Sequence, residues 1–392
     1  MKKLIFGYGV TGKSVETYFQ KNNIEYLIYD DKPKSGIKSK LFFKYSNIEQ
    51  IDEVIISPGI KPSNPLLLEI ESRGIEVVTD IDIFNKIYSG EIIGITGTNG
   101  KTTLVNLLTG YLNLIGKKSI AVGNVGNPPL DIGEQAYDYV VMELSSFQLY
   151  YLNNLRLNKA VLMNIFEDHL DWHTSIDEYI LTKEKIGKFV KSNEDYIRYN
   201  NLEQKTYDLV IPDGGIGNIS ELPFYEDTIH LLIKIVQSLE LSLDLIYEYL
   251  LNYHPEEHRF EIVDKFNDVT FINDSKSTNF NSVSMATTKI NEGILIMHGL
   301  TKNISGKDLV IDEKVKTILI PKDMDVNLTN IKAEVINLDS IFDLESELKK
   351  IIKPGCEVLF SCGGSSFNDF KDYKERGEYF KKVVSNLKDE NA

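Results

Sequence analysis

The stretch GITGTNGKTT, Gly94 to Thr103, holds the residue types best suited to chemistry in this chain. Lys101 and Thr102 offer an ammonium for the β- and γ-phosphates of a nucleotide and a hydroxyl for Mg²⁺. Gly97, Asn99 and Gly100 supply a tight loop whose amides can face phosphate. The glycines depart from the common Gly-x₄-Gly-Lys-Ser/Thr spacing, because Ile95 stands five before Gly100 while Gly94 and Gly97 flank it. The apolar run before the loop and the helical LVNLLTGYLNLIG after it place Lys101 at a strand-to-helix turn.

A second glycine pattern, GYGVTG, runs from Gly7 to Gly12 between the apolar KKLIF and the helical KSVETYFQKNN. Asp30 and Asp31 follow at the distance of a ribose-binding acid, which completes the dinucleotide fingerprint. The pattern predicts amides cradling a pyrophosphate. A nicotinamide cofactor, a nucleotide sugar or no ligand at all each fits it. Glu143 closes the apolar strand DYVVMELSS, where a carboxylate can hold Mg²⁺ directly or through water. His169 and His173 in EDHLDWH have the spacing of a helical zinc pair, but no further Cys or His lies nearby to complete it. Lys183, with Lys185 and Lys188 close by, reads on its own as a surface lysine on a helix.

The elements that must position these groups fall into three blocks. With 392 residues the chain exceeds one ordinary core, so two or three domains are expected. In the first block KKLIF, EYLIYDD, EVIISPGI and IEVVTDIDIF read as strands alternating with helices. The pattern restarts at EIIGITGTNGKTT, with DYVVMELSS and KAVLMNIFEDH as further strands. The third block contains VTFINDSKSTNFNS, GILIMHGLTKN, KTILI and CEVLFSCGGSSFNDF, again strands followed by polar loops. The expected fold is α/β with three domains. These are a Rossmann-like parallel sheet over 1–89, a P-loop ATPase-type domain over 90–255 and a second Rossmann-like domain over 256–392. Ligands of such sheets gather beyond the carboxyl ends of the strands, so the polar strand ends mark the crevices.

Composition sets limits on function. A hydrophobic content of 42% with 26% charged residues reads as soluble and globular. The net charge of -15 argues against a general nucleic-acid partner and requires local cations and amides for any anionic ligand. Cys356 and Cys362 give neither a disulfide framework nor zinc spacing, so a reduced, cytoplasmic protein is expected. No apolar stretch approaches a membrane span, and the short run after Lys2 and Lys3 stops at glycine, which fits a buried strand better than a secretory signal. No repeat or coiled coil demands an assembly, and a monomer is expected.

The shifted glycines of GITGTNGKTT closely resemble those of the Mur ligases, the ATP-dependent amide-forming enzymes of peptidoglycan precursor synthesis, and of their folylpolyglutamate synthase relatives. VMELSSFQL, NIFEDHLDWH, HRFE and NDSKSTN are similar to that family's motifs in order, so the resemblance spans nearly the whole chain. It implies ATP held by Gly97, Thr98, Asn99, Gly100, Lys101, Thr102 and Thr103, with Arg259 and Asp274 meeting it on domain closure. It implies two Mg²⁺ ions on Thr102, Glu143, His169 and Lys183, with Lys183 carrying a CO₂-derived carbamate. Catalytic roles fall to Lys101, Lys183 and His169.

The end of the chain, SSFNDFKDYKERGEYF, strongly resembles the D-glutamate-adding branch. Lys276, Thr278, Lys302, Ser365 or Ser366, and Phe370 are then the D-glutamate set. The UDP-substrate set is Gly9, Val10, Thr11, Asp30, Asp31, Ser57, Asn124 and His169. The implied reaction joins UDP-N-acetylmuramoyl-L-alanine to D-glutamate through an acyl phosphate. Another Mur-type amino-acid ligase and a nicotinamide-dependent oxidoreductase are the alternatives.

Overall fold

The computed structural model describes residues 2–32, 41–199, 209–210, 216–217, 226–254, 256–302, 304, 306, 309–328 and 331–389. They form two compact units, Met1–Ile165 with Asp177–Asn252, and Phe166–Ile176 with Tyr253–Ala392.

In the first unit, β1 (Lys2–Phe6), β2 (Tyr26–Tyr29), β3 (Ile51–Ile56) and β4 (Glu76–Val78) make a parallel sheet ordered β2-β1-β3-β4. A second parallel sheet is built from β5 (Glu91–Thr96), β6 (Ser119–Gly123), β7 (Tyr139–Glu143), β8 (Lys159–Leu162) and β9 (Tyr196–Arg198), ordered β6-β7-β5-β8-β9. Its central strands are apolar on both faces because helices cover both, which is why EIIGIT and YVVME read as continuous apolar runs. One core joins the two sheets: Ile5, Ile28 and Ile55 of the first pack in the same cluster as Ile92, Val140 and Ala160 of the second. The two-residue strands β10 (Leu209–Val210) and β11 (Ile216–Gly217) pair antiparallel.

The strand expected over IEVVTDIDIF ends at Val78, and a helix spans Asp80–Ile87. Thr79 is its N-cap: the hydroxyl accepts from Asp82 N, and Asp82 accepts in return from the Thr79 amide. This capping box outweighs the alternating pattern that suggested a strand.

The second unit carries β12 (Glu261–Phe266), β13 (Val269–Asp274), β14 (Gly293–His298), β15 (Val315–Pro321), β16 (Glu334–Leu338) and β17 (Glu357–Gly363). They are ordered β12-β13-β17-β14-β15-β16, with only the edge strand β12 antiparallel. Two apolar layers cover its faces, one around Phe271, Phe360 and Phe380 and the other around Val283, Leu295 and Ile318. No helix among the described residues is long and apolar enough to cross a membrane.

Candidate active site

The loop after β5 is pinned by Asn164, just beyond β8. The Asn164 carbonyl accepts from Thr98 N at 2.9 Å, and its side-chain oxygen accepts from Asn99 N at 2.9 Å. Gly100 has φ 81° in the left-handed region and caps the helix Lys101–Leu114, so a side chain there would be strained. Lys101 Nζ folds over the loop and donates to the carbonyls of Gly97 and Thr98, at 2.8 and 2.9 Å. Lys183 is no surface lysine. It is 2% exposed, donates to the Gly97 carbonyl at 2.7 Å and stands over the Tyr179 ring. The Tyr179 hydroxyl in turn lies 3.0 Å from the Thr98 hydroxyl. The structure therefore brings Gly97, Thr98, Asn99, Lys101 and Lys183 together, with Thr102 and Thr103 in the first turn of the helix.

Glu143 ends β7 in register with Ile95 of β5 and Gly123 of β6. Its side chain is buried. Asn124 Nδ2 donates to its Oε1 at 2.6 Å, while its Oε2 is buried and has no hydrogen-bond partner among the described residues. A buried carboxylate oxygen without a donor is costly. It fits a site for a hard cation, which takes oxygen ligands.

At the first sheet, GYGVTG connects β1 to the helix Val10–Lys21. A Cβ on Gly12 would lie 2.1 Å from the Gly7 carbonyl oxygen, so only glycine lets the helix pack so closely on the turn. Ser57, after β3, donates from Oγ to the same carbonyl at 3.0 Å. Asp30 accepts from Tyr8 N at 2.7 Å and Lys32 N at 2.9 Å, so it braces the glycine loop. Asp31 accepts from Asn64 Nδ2. Gly9, Val10 and Thr11 open the helix, and Val10 is exposed.

In the second unit, Asp168 and His169 lie in the Phe166–Ile176 segment. Asp168 is buried and accepts from Lys302 Nζ at 2.7 Å and from Asn279 Nδ2 at 3.3 Å. Burial opposes its ionisation, but Lys302 and His169 outweigh that and hold the carboxyl below its usual range. His169 has φ 56° and its imidazole stands 3.6 Å from the Asp168 carboxylate. His173 is buried, with its ring edge-on to Trp172.

Three strand ends carry the remaining candidates. At the end of β13, Asp274 accepts from Phe260 N, Ser277 Oγ and Ser361 Oγ. Burial pushes its carboxyl up to about 6 against those bonds and the nearby Arg259. Arg259 Nε pairs with Glu256 at 3.0 Å. Lys276 Nζ lies 3.9 Å from the centre of the Tyr373 ring, and Thr278 is half-buried two residues on. Beyond β14, Leu300 pairs through its backbone with Ser365, beyond β17. Ser366 is buried and its carbonyl accepts from Phe370 N at 2.9 Å. The Phe370 ring packs among His298, Phe342 and Tyr379, so it can wall a pocket but presents no polar group.

Sequence reasoning missed Asn164, Tyr179, Asp168 and the buried Arg376. Asn164 and Asp168 stood inside the motif NIFEDHLDWH, and Tyr179 lies one helical turn before Lys183, so spacing alone could have raised them. Arg376 stood inside the segment SSFNDFKDYKERGEYF, but nothing in its local spacing marked it as a buried cation.

A loop of this kind, on a parallel sheet with a buried carboxylate beside it, fits the class of nucleotide-binding α/β domains. Residues 95–211 match the Mur ligase middle domain, and residues 1–79 match the MurD-like N-terminal domain of Mur ligases. The chain belongs to the Mur ligase family. A relative from Thermosipho melanesiensis, named UDP-N-acetylmuramoylalanine--D-glutamate ligase, is 30% identical, covering 100% of this chain and 99% of its own. A relative of the same name from Protochlamydia amoebophila is also 30% identical, over 98% of each chain. The solved UDP-N-acetylmuramate-alanine ligase of Thermotoga maritima shares the fold with a TM-score of 0.57 at 16% identity, covering 99% of this chain and 100% of that one. A MurF ligase of the same organism, solved with ADP, gives a TM-score of 0.57 at 15% identity over 98% of this chain and 95% of its own.

Proposed function

We propose that the chain ligates D-glutamate to UDP-N-acetylmuramoyl-L-alanine at the expense of ATP, in peptidoglycan precursor synthesis. The observation that carries this reading is the full-length similarity to relatives named for that reaction, since the fold is shared by ligases of other specificity. In the reaction the alanine carboxylate attacks the γ-phosphorus and ADP leaves. The D-glutamate amine then attacks the carbonyl of the acyl phosphate, loses its proton, and phosphate departs.

Gly97 to Thr103 are assigned to the nucleotide phosphates, and Lys101, released from the Gly97 and Thr98 carbonyls, to the charge that gathers on the transferred phosphoryl group. Thr102, Glu143, His169 and Lys183 are the assigned Mg²⁺ ligands, supported by Oε2 of Glu143, which has no partner among the described residues. Bound there, Mg²⁺ supplies neutralisation of charge where two anions must meet. Lys183 is proposed to carry a carbamate, which replaces a buried cation with an oxygen ligand.

Gly9, Val10, Thr11, Asp30, Asp31, Ser57 and Asn124 are assigned to the UDP substrate with His169, and Arg259 and Asp274 to ATP. Lys276, Thr278, Lys302, Ser365, Ser366 and Phe370 are assigned to D-glutamate. The proposed functional divisions are 1–89, 90–255 and 256–392, in a cytoplasmic monomer. A panel of amino acids in a phosphate-release assay tests the acceptor. D-glutamate should be turned over in preference to L-alanine, diamino acids and dipeptides, and a preference for any of these refutes the assignment.

A further inference from the structure

Arg376 has a side chain that is wholly enclosed, in the first turns of the helix Tyr373–Asp389. Its guanidinium donates to the Ser275 carbonyl at 2.7 Å, the Ser275 hydroxyl at 3.1 Å, the His298 carbonyl at 3.0 Å and the Gly364 carbonyl at 2.9 Å. A further contact, at 3.3 Å, runs to His298 Nδ1. All of these partners are neutral. An arginine can only donate, so His298 Nδ1 accepts and its proton sits on Nε2, which donates to Asp369 at 2.9 Å. Burial holds His298 below the ordinary histidine range although Asp369 opposes this, so the imidazole stays neutral. The three segments tied together are the ends of β13, β14 and β17. The same ends carry Lys276, Lys302, Ser365 and Ser366.

A buried cation is costly unless its charge is used. Among the described residues no carboxylate hydrogen-bonds to it; the buried Asp274 carboxyl acts on it through space, and the guanidinium, bonded only to neutral dipoles, still contributes positive charge at these strand ends. The packing is close: a Cβ on Gly299 would lie 2.9 Å from the guanidinium.

Building on the D-glutamate reading, we propose that Arg376, braced by His298 and Asp369, is a positioning and specificity residue for the acceptor pocket. It holds three strand-end loops in register and places positive charge behind them, which favours an amino acid bearing an additional carboxylate. Asp369 lies at the outer end of the brace, partly exposed, so it can be changed without opening the core.

Arg376→Met removes the charge while keeping much of the volume. The KM for D-glutamate should rise about 10-fold, the scale of removing a positive charge that acts through space rather than through a direct hydrogen bond. The preference for D-glutamate over D-glutamine should shrink, while the KM for ATP holds. Arg376→Lys should keep the preference. A folded Arg376→Met enzyme with unaltered preference overturns the inference. Should that variant not fold, Asp369→Ala decides: a raised acceptor KM with unchanged ATP KM and near-normal Tm supports the brace, and an unchanged acceptor KM overturns it. Failure of the unmodified enzyme to use D-glutamate refutes the parent reading instead, and the same variants are then compared on the acceptor it does use.

Discussion

The carbonyl oxygen of Gly97 accepts from two lysines, Lys101 at 2.8 Å and Lys183 at 2.7 Å. Two cations on one oxygen keep the loop compact and place both amines where phosphate chemistry is assigned. Lys101→Ala should lower turnover on the order of 10²- to 10³-fold, the typical effect of losing a charge-stabilising group, with Tm little changed. Near-normal ATP-dependent turnover would contradict its role. If Lys183 carries the proposed carbamate, Lys183→Ala should be inactive, and a short carboxylic acid in the buffer should restore part of the rate by standing in for the lost oxygen ligand. Rescue by a short amine, but not by the acid, would point to an ammonium role. At this scale the sequence was a partial guide. Lys101, Gly97 and Gly100 were legible because their meaning lies in local spacing. Arg376 was not, because its partners at Ser275, His298 and Gly364 are distant in sequence and meet only through the β13-β17-β14 order.

Among the elements, the helix Asp80–Ile87 shows where pattern reading fails. EVVTDIDIF alternates like a strand, yet Thr79 and Asp82 close a capping box after three strand residues. Asp82 also reaches a second element, since its Oδ1 accepts from the amides of Asn153 and Asn154, following the helix Ser146–Tyr151. Thr79→Ala should cost about 1 kcal/mol, the usual loss for a helix cap. Asp82→Ala removes the cap partner and leaves two more amides unsatisfied, so it should cost more. Urea denaturation measures both, and equal costs would show that Asp82 does not tie these elements. The parallel sheets themselves were readable, since strands covered on both faces must be continuously apolar. The edge strand β16 was not, because EVINL is mostly exposed and lacks that signature.

For the molecule as a whole, pH enters through Asp80, buried within the first unit. Burial pushes its carboxyl from 3.8 up to about 7, with Asp82 and Asp131 adding to the effect. The native state therefore holds a proton that the unfolded chain releases between those values. The stability this gives is fully present below about pH 3.8 and is lost as pH rises through about 7. Asp80→Asn should raise Tm relative to the parent at pH 8, with the difference fading towards pH 4. An equal difference at both would rule out the titration. The net charge of -15 makes local cations and backbone amides the means of holding three anionic substrates; Lys276 and Lys302 lie just beyond the ends of β13 and β14, Lys101 opens the helix after β5, and Arg376 reaches the strand ends from its helix.

The most direct test supplies the purified protein with ATP, magnesium, UDP-N-acetylmuramoyl-L-alanine and D-glutamate, omits each in turn, and follows inorganic phosphate. Release should require all four, with one dipeptide product formed per phosphate. Background release from the complete mixture, or equal release without D-glutamate, would contradict the ligation of these two substrates.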